Sequence, residues 1–373
     1  MKFWYRLIFL PILIFALVGC SDDDDNNGND NPESTEVEDG KVTQLQKHTV
    51  GKGVPIIIMC NRFSDRDIAS GKYREAVKWA LEGLFSVHPM KSLRDYFDVY
   101  EVAAVAYHDN SQDTSTPSYV QNDSIGDVYR YAQKVFGEDR YEDRHNDVVF
   151  IVLDHKLFRS YAFLPHSLSE SGSDIPSGFH TAYVWWPLKN DGTVRTDNDP
   201  TTLLHEAIGH CFAGLADEYV EDEWKWDDYD SHKEDVMKEQ KNGYCRNISM
   251  DSDVTKTYWA DFAADSRYDF EKLGCYEGGE YQATGVYRAT EISIMRDTFG
   301  SSYFNVIARV MIYKRCMKIA YGDSWQFDYE DFVKFDLEKA KAEYKANQKL
   351  DPIFSTSKRF CAPPQFVKMK ASR

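Results

Sequence analysis

The chain has 373 residues, 42% of them apolar, and its 22 Phe, 24 Tyr and 8 Trp are ample for a large core. The formal net charge of −17 makes it a poor partner for nucleic acid and for anionic surfaces. There is no internal repeat and no phosphate-binding Gly loop, and the seven cysteines lack the C-x-x-C spacing of a thiolate metal site.

Lys2 and Arg6 precede an apolar run from Leu7 to Val18, followed by Gly19-Cys20. The run is shorter than the roughly 20 residues a spanning helix needs, so residues 1–19 read as a signal peptide. Leu17-Val18-Gly19-Cys20 fits a bacterial lipobox, with Cys20 as the lipid-bearing first residue of the mature chain. Ser21 to about Thr43 is polar and acidic and cannot bury enough surface to fold. Residues 20–47 are therefore expected to be a disordered tether and residues 48–373 the globular domain. The acidic tract after Cys20 resembles the surface-export signal of some Gram-negative lipoproteins. An exported lipoprotein is expected, held at the outer membrane or cell surface by lipid and not by charge.

Val54-Pro-Ile-Ile-Ile-Met-Cys60 is short, apolar and β-branched, and predicts a buried strand. A helix is expected from about Ile68 to Phe85, a strand over Tyr96–Tyr107, a helix near Val128–Phe136 and a strand over Asp147–Asp154. This alternation predicts an α/β sheet. His180-Thr-Ala-Tyr-Val-Trp-Trp-Pro187 reads as a strand whose Pro187 suggests a sheet edge, where an extended peptide can pair. His180 is a lone histidine and is read as structural.

Asp199 and Pro200 then suit the start of a helix. Leu203, Leu204, Ala207, Ile208, Phe212 and Leu215 give it an apolar face. His205 and Glu206 open an H-E-x-x-H-like motif, in which two imidazoles hold Zn²⁺ and the Glu is general base on its water. The second histidine, His210, comes five residues after the first, with Gly209 before it. On a regular helix, four residues advance the direction by about 40° but five by about 140°, too far for one ion. A π-bulge restores a common face, and Gly209, without a Cβ, eases it. A carboxylate soon after His210 is the sensible third ligand of an open zinc site. Asp217 is preferred and Glu218 is the alternative.

The pattern H-E-x-x-G-H-x-F-x-x-L-A-D-E-Y, running from His205 to Tyr219, resembles the signature of the IgA-peptidase family of bacterial zinc metallopeptidases. Many members of that family have one residue fewer between the histidines. The longer spacing also resembles that of dipeptidyl peptidase III enzymes, where it is catalytic. Ile56–Asp67 and Lys91–Tyr100 are similar to the opening strand–helix–strand of the family, and the resemblance spans roughly residues 50–325. It implies a zincin-like α/β (α+β) fold, with a mixed sheet packed on the active-site helix and a C-terminal helical lobe. It also implies a Zn²⁺ cofactor and cleavage of extracellular proteins, with immunoglobulin A as the namesake target.

Residues 220–290 form an insertion rich in Asp, Glu, Trp and Tyr. Its runs Glu221–Glu223 and Asp227–Asp230 lack EF-hand spacing and read as a solvated acidic surface. Ser293-Ile-Met295-Arg296-Asp297 resembles the Met-containing turn that floors the zinc site of metzincin-type peptidases. Tyr219, Arg296 and Tyr303 are candidates to stabilise an oxyanion. Helices are expected over about 302–321 and 329–347. Export permits a disulfide between Cys245 and Cys275, while Cys211 and Cys316 read as buried thiols.

The leading expectation is a monomeric zinc peptidase acting on a polypeptide substrate such as a host secreted protein. His205, His210 and Asp217 would hold the metal, and Glu206 and Tyr219 would be catalytic. The rival is a non-catalytic surface lipoprotein that binds host protein or glycan with a degenerate metal site, for which the five-residue spacing is the best support. A third reading keeps the zinc but hydrolyses a non-peptide amide or ester. Specificity would lie in loops such as 155–180 and 220–290.

Overall fold

Two strands with every residue buried anchor the architecture: β2 (Val54–Asn61) and β4 (Val149–Asp154). Apolar side chains on both faces are what a parallel strand covered on two sides requires. The computed structural model describes residues 37–105, 125–137, 148–154, 159–166, 175–176, 180–186, 200–297, 303–347 and 361–368. Cys20, the apolar run before it, Asp199 and Pro187 lie outside them. No helix among the described residues is long and apolar enough to cross a membrane.

The other strands of the main sheet are β1 (Lys41–Gln46), β3 (Phe97–Ala103), β5 (Tyr161–His166), β6 (His180–Trp185) and β10 (Gln365–Lys368). Their order is β1-β3-β2-β4-β6-β5-β10. Strands β3, β2, β4 and β6 are mutually parallel, β1 and β5 join antiparallel, and β10 runs parallel to β5. The α/β expectation for this sheet therefore holds, as a mixed sheet. A smaller sheet of order β7-β9-β8 lies within 220–290, from β7 (Ile248–Ser249), β8 (Tyr276–Gly279) and β9 (Gln282–Arg288).

Three expectations need correction. Folded structure begins inside the expected tether, because Val42 and Leu45 of β1 pack on the core while β1 pairs with β3. The helix expected over 68–85 is two, α1 (Asp65–Ala69) and α2 (Lys72–Leu84). Ser64 and Asp67 form a capping box on α1, and Gly71 breaks the run at φ +87°, a left-handed conformation that glycine adopts without strain. Strand β6 is not an edge: it pairs with β4 on one side and β5 on the other, so its main chain has no free side for a peptide.

A helix α3 (Ile125–Phe136) packs on β3. The helix that carries His205 and His210 follows β6: Thr201–Leu203 is α-helical and leads into α4 (Leu204–Phe212), which is π-helical throughout. It lies against β4, β5 and β6 and also touches α2 and α6 (Val306–Tyr321, after a helix α5 over Tyr229–Lys241). Asn305 caps α6 by accepting from the Ala308 N–H. The last helix is α7 (Tyr329–Asn347). The core is one continuous cluster of apolar side chains from the sheet, α2, α4, α6 and α7.

Candidate metal centre

The five-residue spacing is resolved by the backbone. In α4 hydrogen bonds reach one residue further than in an α-helix, as from Ala213 N–H to the Ile208 carbonyl at 2.9 Å. A step of five then returns to nearly the same face. His205 and His210 consequently meet, with their Nε2 atoms 3.1 Å apart. Gly209 has a second reason to be glycine. A Cβ there would lie 2.2 Å from Met295 Sδ, so the Ser293–Asp297 turn packs directly beneath the bulge.

Asp217 completes the group. Its Oδ1 lies 3.0 Å from His205 Nε2 and 3.3 Å from His210 Nε2, and all three residues are fully buried. Each Nδ1 faces a backbone carbonyl, that of Ile294 for His205 at 3.1 Å and that of Leu215 for His210 at 2.7 Å. Those carbonyls hold the Nδ1–H form and leave both Nε2 lone pairs pointing inward. Tyr281 donates its hydroxyl to Asp217 Oδ2 at 2.6 Å, while Oδ1 accepts no hydrogen bond from an N–H or O–H among the described residues. Three ligand atoms thus converge in a buried space, an arrangement that could hold a cation. Their separations match the edge of a zinc tetrahedron, about 3.3 Å for ligands near 2.05 Å from the ion. Without a cation, a proton takes its place. Burial opposes charge on His210, but the Asp217 carboxylate more than offsets this and lifts its pKa to about 9. Asp217 is buried too, yet His210 and His205 hold it below the usual carboxylate range.

Glu206 sits beside this group, fully buried. Burial pushes its pKa up to about 7, against the pull of His205 and His210. Glu218, the alternative third ligand, is committed elsewhere. It accepts from Ser293 Oγ at 2.5 Å, Asn247 Nδ2 at 3.0 Å and Asn305 Nδ2 at 3.3 Å, and its N–H reaches the Met295 carbonyl. It ties the Asp217 loop to the Met turn. Of the three oxyanion candidates, Tyr219 stacks its ring by His205, centroids 6.4 Å apart, and meets Tyr281 edge-on. Tyr303 instead accepts from Arg309 in the core, and Arg296 donates to the Glu291 carbonyl.

His180 is structural: it pairs with the Tyr244 hydroxyl and accepts from Arg315. Cys245 and Cys275 are free thiols, so the expected staple is not formed, and Cys211 and Cys316 are buried thiols. Glu221 to Glu223 and Asp227, Asp228 and Asp230 lie at the surface, as the acidic-surface reading expects. The motif gives no sign of five further groups at the centre. They are the two carbonyls, Tyr281, Glu280 and Cys361. Glu280 is raised to about 8 by burial and by Asp217, and its N–H reaches the Asp217 carbonyl. Cys361 comes within 4.8 Å of His205 and Glu206. Gly278-Gly279 before Glu280 was a readable hint of close backbone approach, with Gly278 at φ +100°.

A family model described as IgA Peptidase M64 matches residues 45–268, more than half of the chain. No curated protein matches it.

Proposed function

Because the chain belongs to the IgA peptidase M64 family, a family of peptidases, we propose that it is a zinc-dependent metallopeptidase of zincin-like fold acting on extracellular proteins. The observation that carries this is the buried convergence of His205 Nε2, His210 Nε2 and Asp217 Oδ1, all within 3.3 Å of one another. His205, His210 and Asp217 would hold the ion. When bound, the metal supplies a Lewis acid that lowers the pKa of water and polarises a peptide carbonyl.

The chain's own residues do the rest. Glu206 takes a proton from the attacking water and returns it to the leaving amine nitrogen. Its pKa near 7 falls further beside a dication, so the carboxylate form is present at neutral pH. Tyr219, next to His205, donates to the oxygen that gains charge on the tetrahedral carbon. Ile294 and Leu215 fix the imidazole tautomers, and Tyr281 orients Asp217. The π-helix removes the main support for a degenerate site. The Leu17–Cys20 lipobox and the acidic stretch after it support a lipid-anchored, exported protein at the cell surface.

Metal analysis tests the centre. About one zinc per chain is expected in the wild type and none in His210→Ala. Glu206→Gln should keep the zinc while casein hydrolysis drops by about 10²–10⁴-fold. A wild-type chain that takes up no zinc after reconstitution would sink the reading.

A further inference from the structure

Without β10, β5 would be the edge of the main sheet beside the metal helix. The chain covers that edge itself. Gln365 to Lys368 of β10 pair in register with Phe163 to His166, and the pairing extends back through the Ala362 N–H to the Ser160 carbonyl at 2.8 Å and a bridge between Ser160 and Cys361. This register sets where Cys361 falls. It is 1% exposed, and its sulfur lies within 4.8 Å of both a ring nitrogen of His205 and a carboxylate oxygen of Glu206.

Glu206 supplies the independent observation. Both of its oxygens are buried, and neither accepts from an N–H or O–H among the described residues. The Cys361 sulfur lies within 4.8 Å of this carboxylate. His205, the third member of this cluster, also belongs to the His205–His210–Asp217 donor set. A zinc centre with three protein ligands keeps its fourth position open for catalysis, and closed centres fill it, commonly with thiolate. The sulfur-to-nitrogen edge of such a tetrahedron is about 3.6 Å; Cys361 groups with His205 and Glu206 and not with His210 or Asp217, so the thiol moves inward to ligate.

We propose that Cys361 is a fourth ligand to the metal, carried into the centre by the C-terminal strand, and that this contact keeps the peptidase latent. The proposal rests on the metal centre described above. Ligation breaks the S–H bond: the sulfur keeps the electron pair and gives it to the metal, and the proton passes to Glu206, the carboxylate facing it. Release returns the proton to sulfur. With β10 detached from β5, the exposed strand edge can pair with an extended polypeptide through its main chain.

The test is reconstitution of the full chain with Co²⁺, whose visible bands report the bound ion and whose near-ultraviolet charge-transfer band reports a thiolate ligand. The wild type should bind one Co²⁺ and show the charge-transfer band. Cys361→Ser should lose that band, keep the visible bands, and hydrolyse casein roughly tenfold faster or more, because the closed position is opened. Bound Co²⁺ without the charge-transfer band in the wild type overturns the proposal and leaves the metal centre standing, even if the variant fails to fold. A band that survives in Cys361→Ser overturns it equally. Failure of the wild type to bind Co²⁺ overturns the metal centre itself.

Discussion

Gly209 sets how closely the Met turn approaches the metal helix. An alanine there meets Met295 Sδ, so Gly209→Ala should cost about 1–3 kcal/mol of overpacking and displace His210. Adding Met295→Ala should recover part of that loss, read as a coupling energy in a double-mutant cycle by urea unfolding; strict additivity would count against the contact. Tyr281→Phe removes the hydrogen bond to Asp217 and should weaken zinc binding by roughly 10–100-fold in a chelator competition. The raised pKa of His210 gives a signed pH dependence. Below about 9 the metal-free centre holds a proton that the ion must displace, so zinc affinity should fall by about tenfold per pH unit from pH 8 to pH 6. A flat chelator-corrected affinity over that range would contradict it. The grouping of His205, His210 and Asp217 was legible because a candidate ligand must be one of few residue types. The carbonyls of Ile294 and Leu215 were not, because every residue has one.

The metal helix is held at its C-terminal end by α6. Arg315 donates to the carbonyls of Cys211 at 2.9 Å and Phe212 at 2.8 Å, two acceptors a helix end leaves unsatisfied. Arg315→Met strands both in the core and should lower stability by roughly 2–4 kcal/mol in urea unfolding, with zinc affinity falling too. A stable variant with unchanged affinity would show that sheet contacts alone hold α4. At this scale β2, β4, α3, α6 and α7 could be read from apolar periodicity. The break at Gly71 was missed because a helical pattern continues across it. The position of β6 was missed because proline content speaks of one residue's N–H, while sheet order depends on which distant strands pair.

Across the whole molecule, a buried ionic network joins α7, α6 and the segments before them. Arg309 binds Asp336 and Glu271, and His88 Nε2 meets Asp336 at 2.8 Å. Burial would raise the Asp336 pKa, but Arg309 more than offsets it and holds the carboxyl at about 2. A depressed acid stabilises the fold above its unfolded pKa, near 4, and that contribution is lost as pH falls toward 2. Glu271 is shifted the other way by burial, so its contribution has the opposite sign. The wild type should therefore lose stability steeply between about pH 4 and pH 2, and Asp336→Asn, already weakened by about 3–5 kcal/mol at neutral pH, should lose less over that range. Equal slopes in the two proteins would rule out Asp336 as the source.

The sequence by itself determined the donor types, the need for a π-turn between His205 and His210, and the α/β character of the sheet. Each of these is local: ligand chemistry, helix pitch and strand periodicity act over a few residues. Only the tertiary structure places Asp217, and not Glu218, with the two histidines, because Glu218 is engaged by Ser293, Asn247 and Asn305, which come from separate segments. It also decided that the covered edge of the sheet is β5 and that Cys361, about 150 residues beyond His210, returns to the centre. Such contacts are set by the burial and hydrogen bonding of the whole core, which no window of sequence contains.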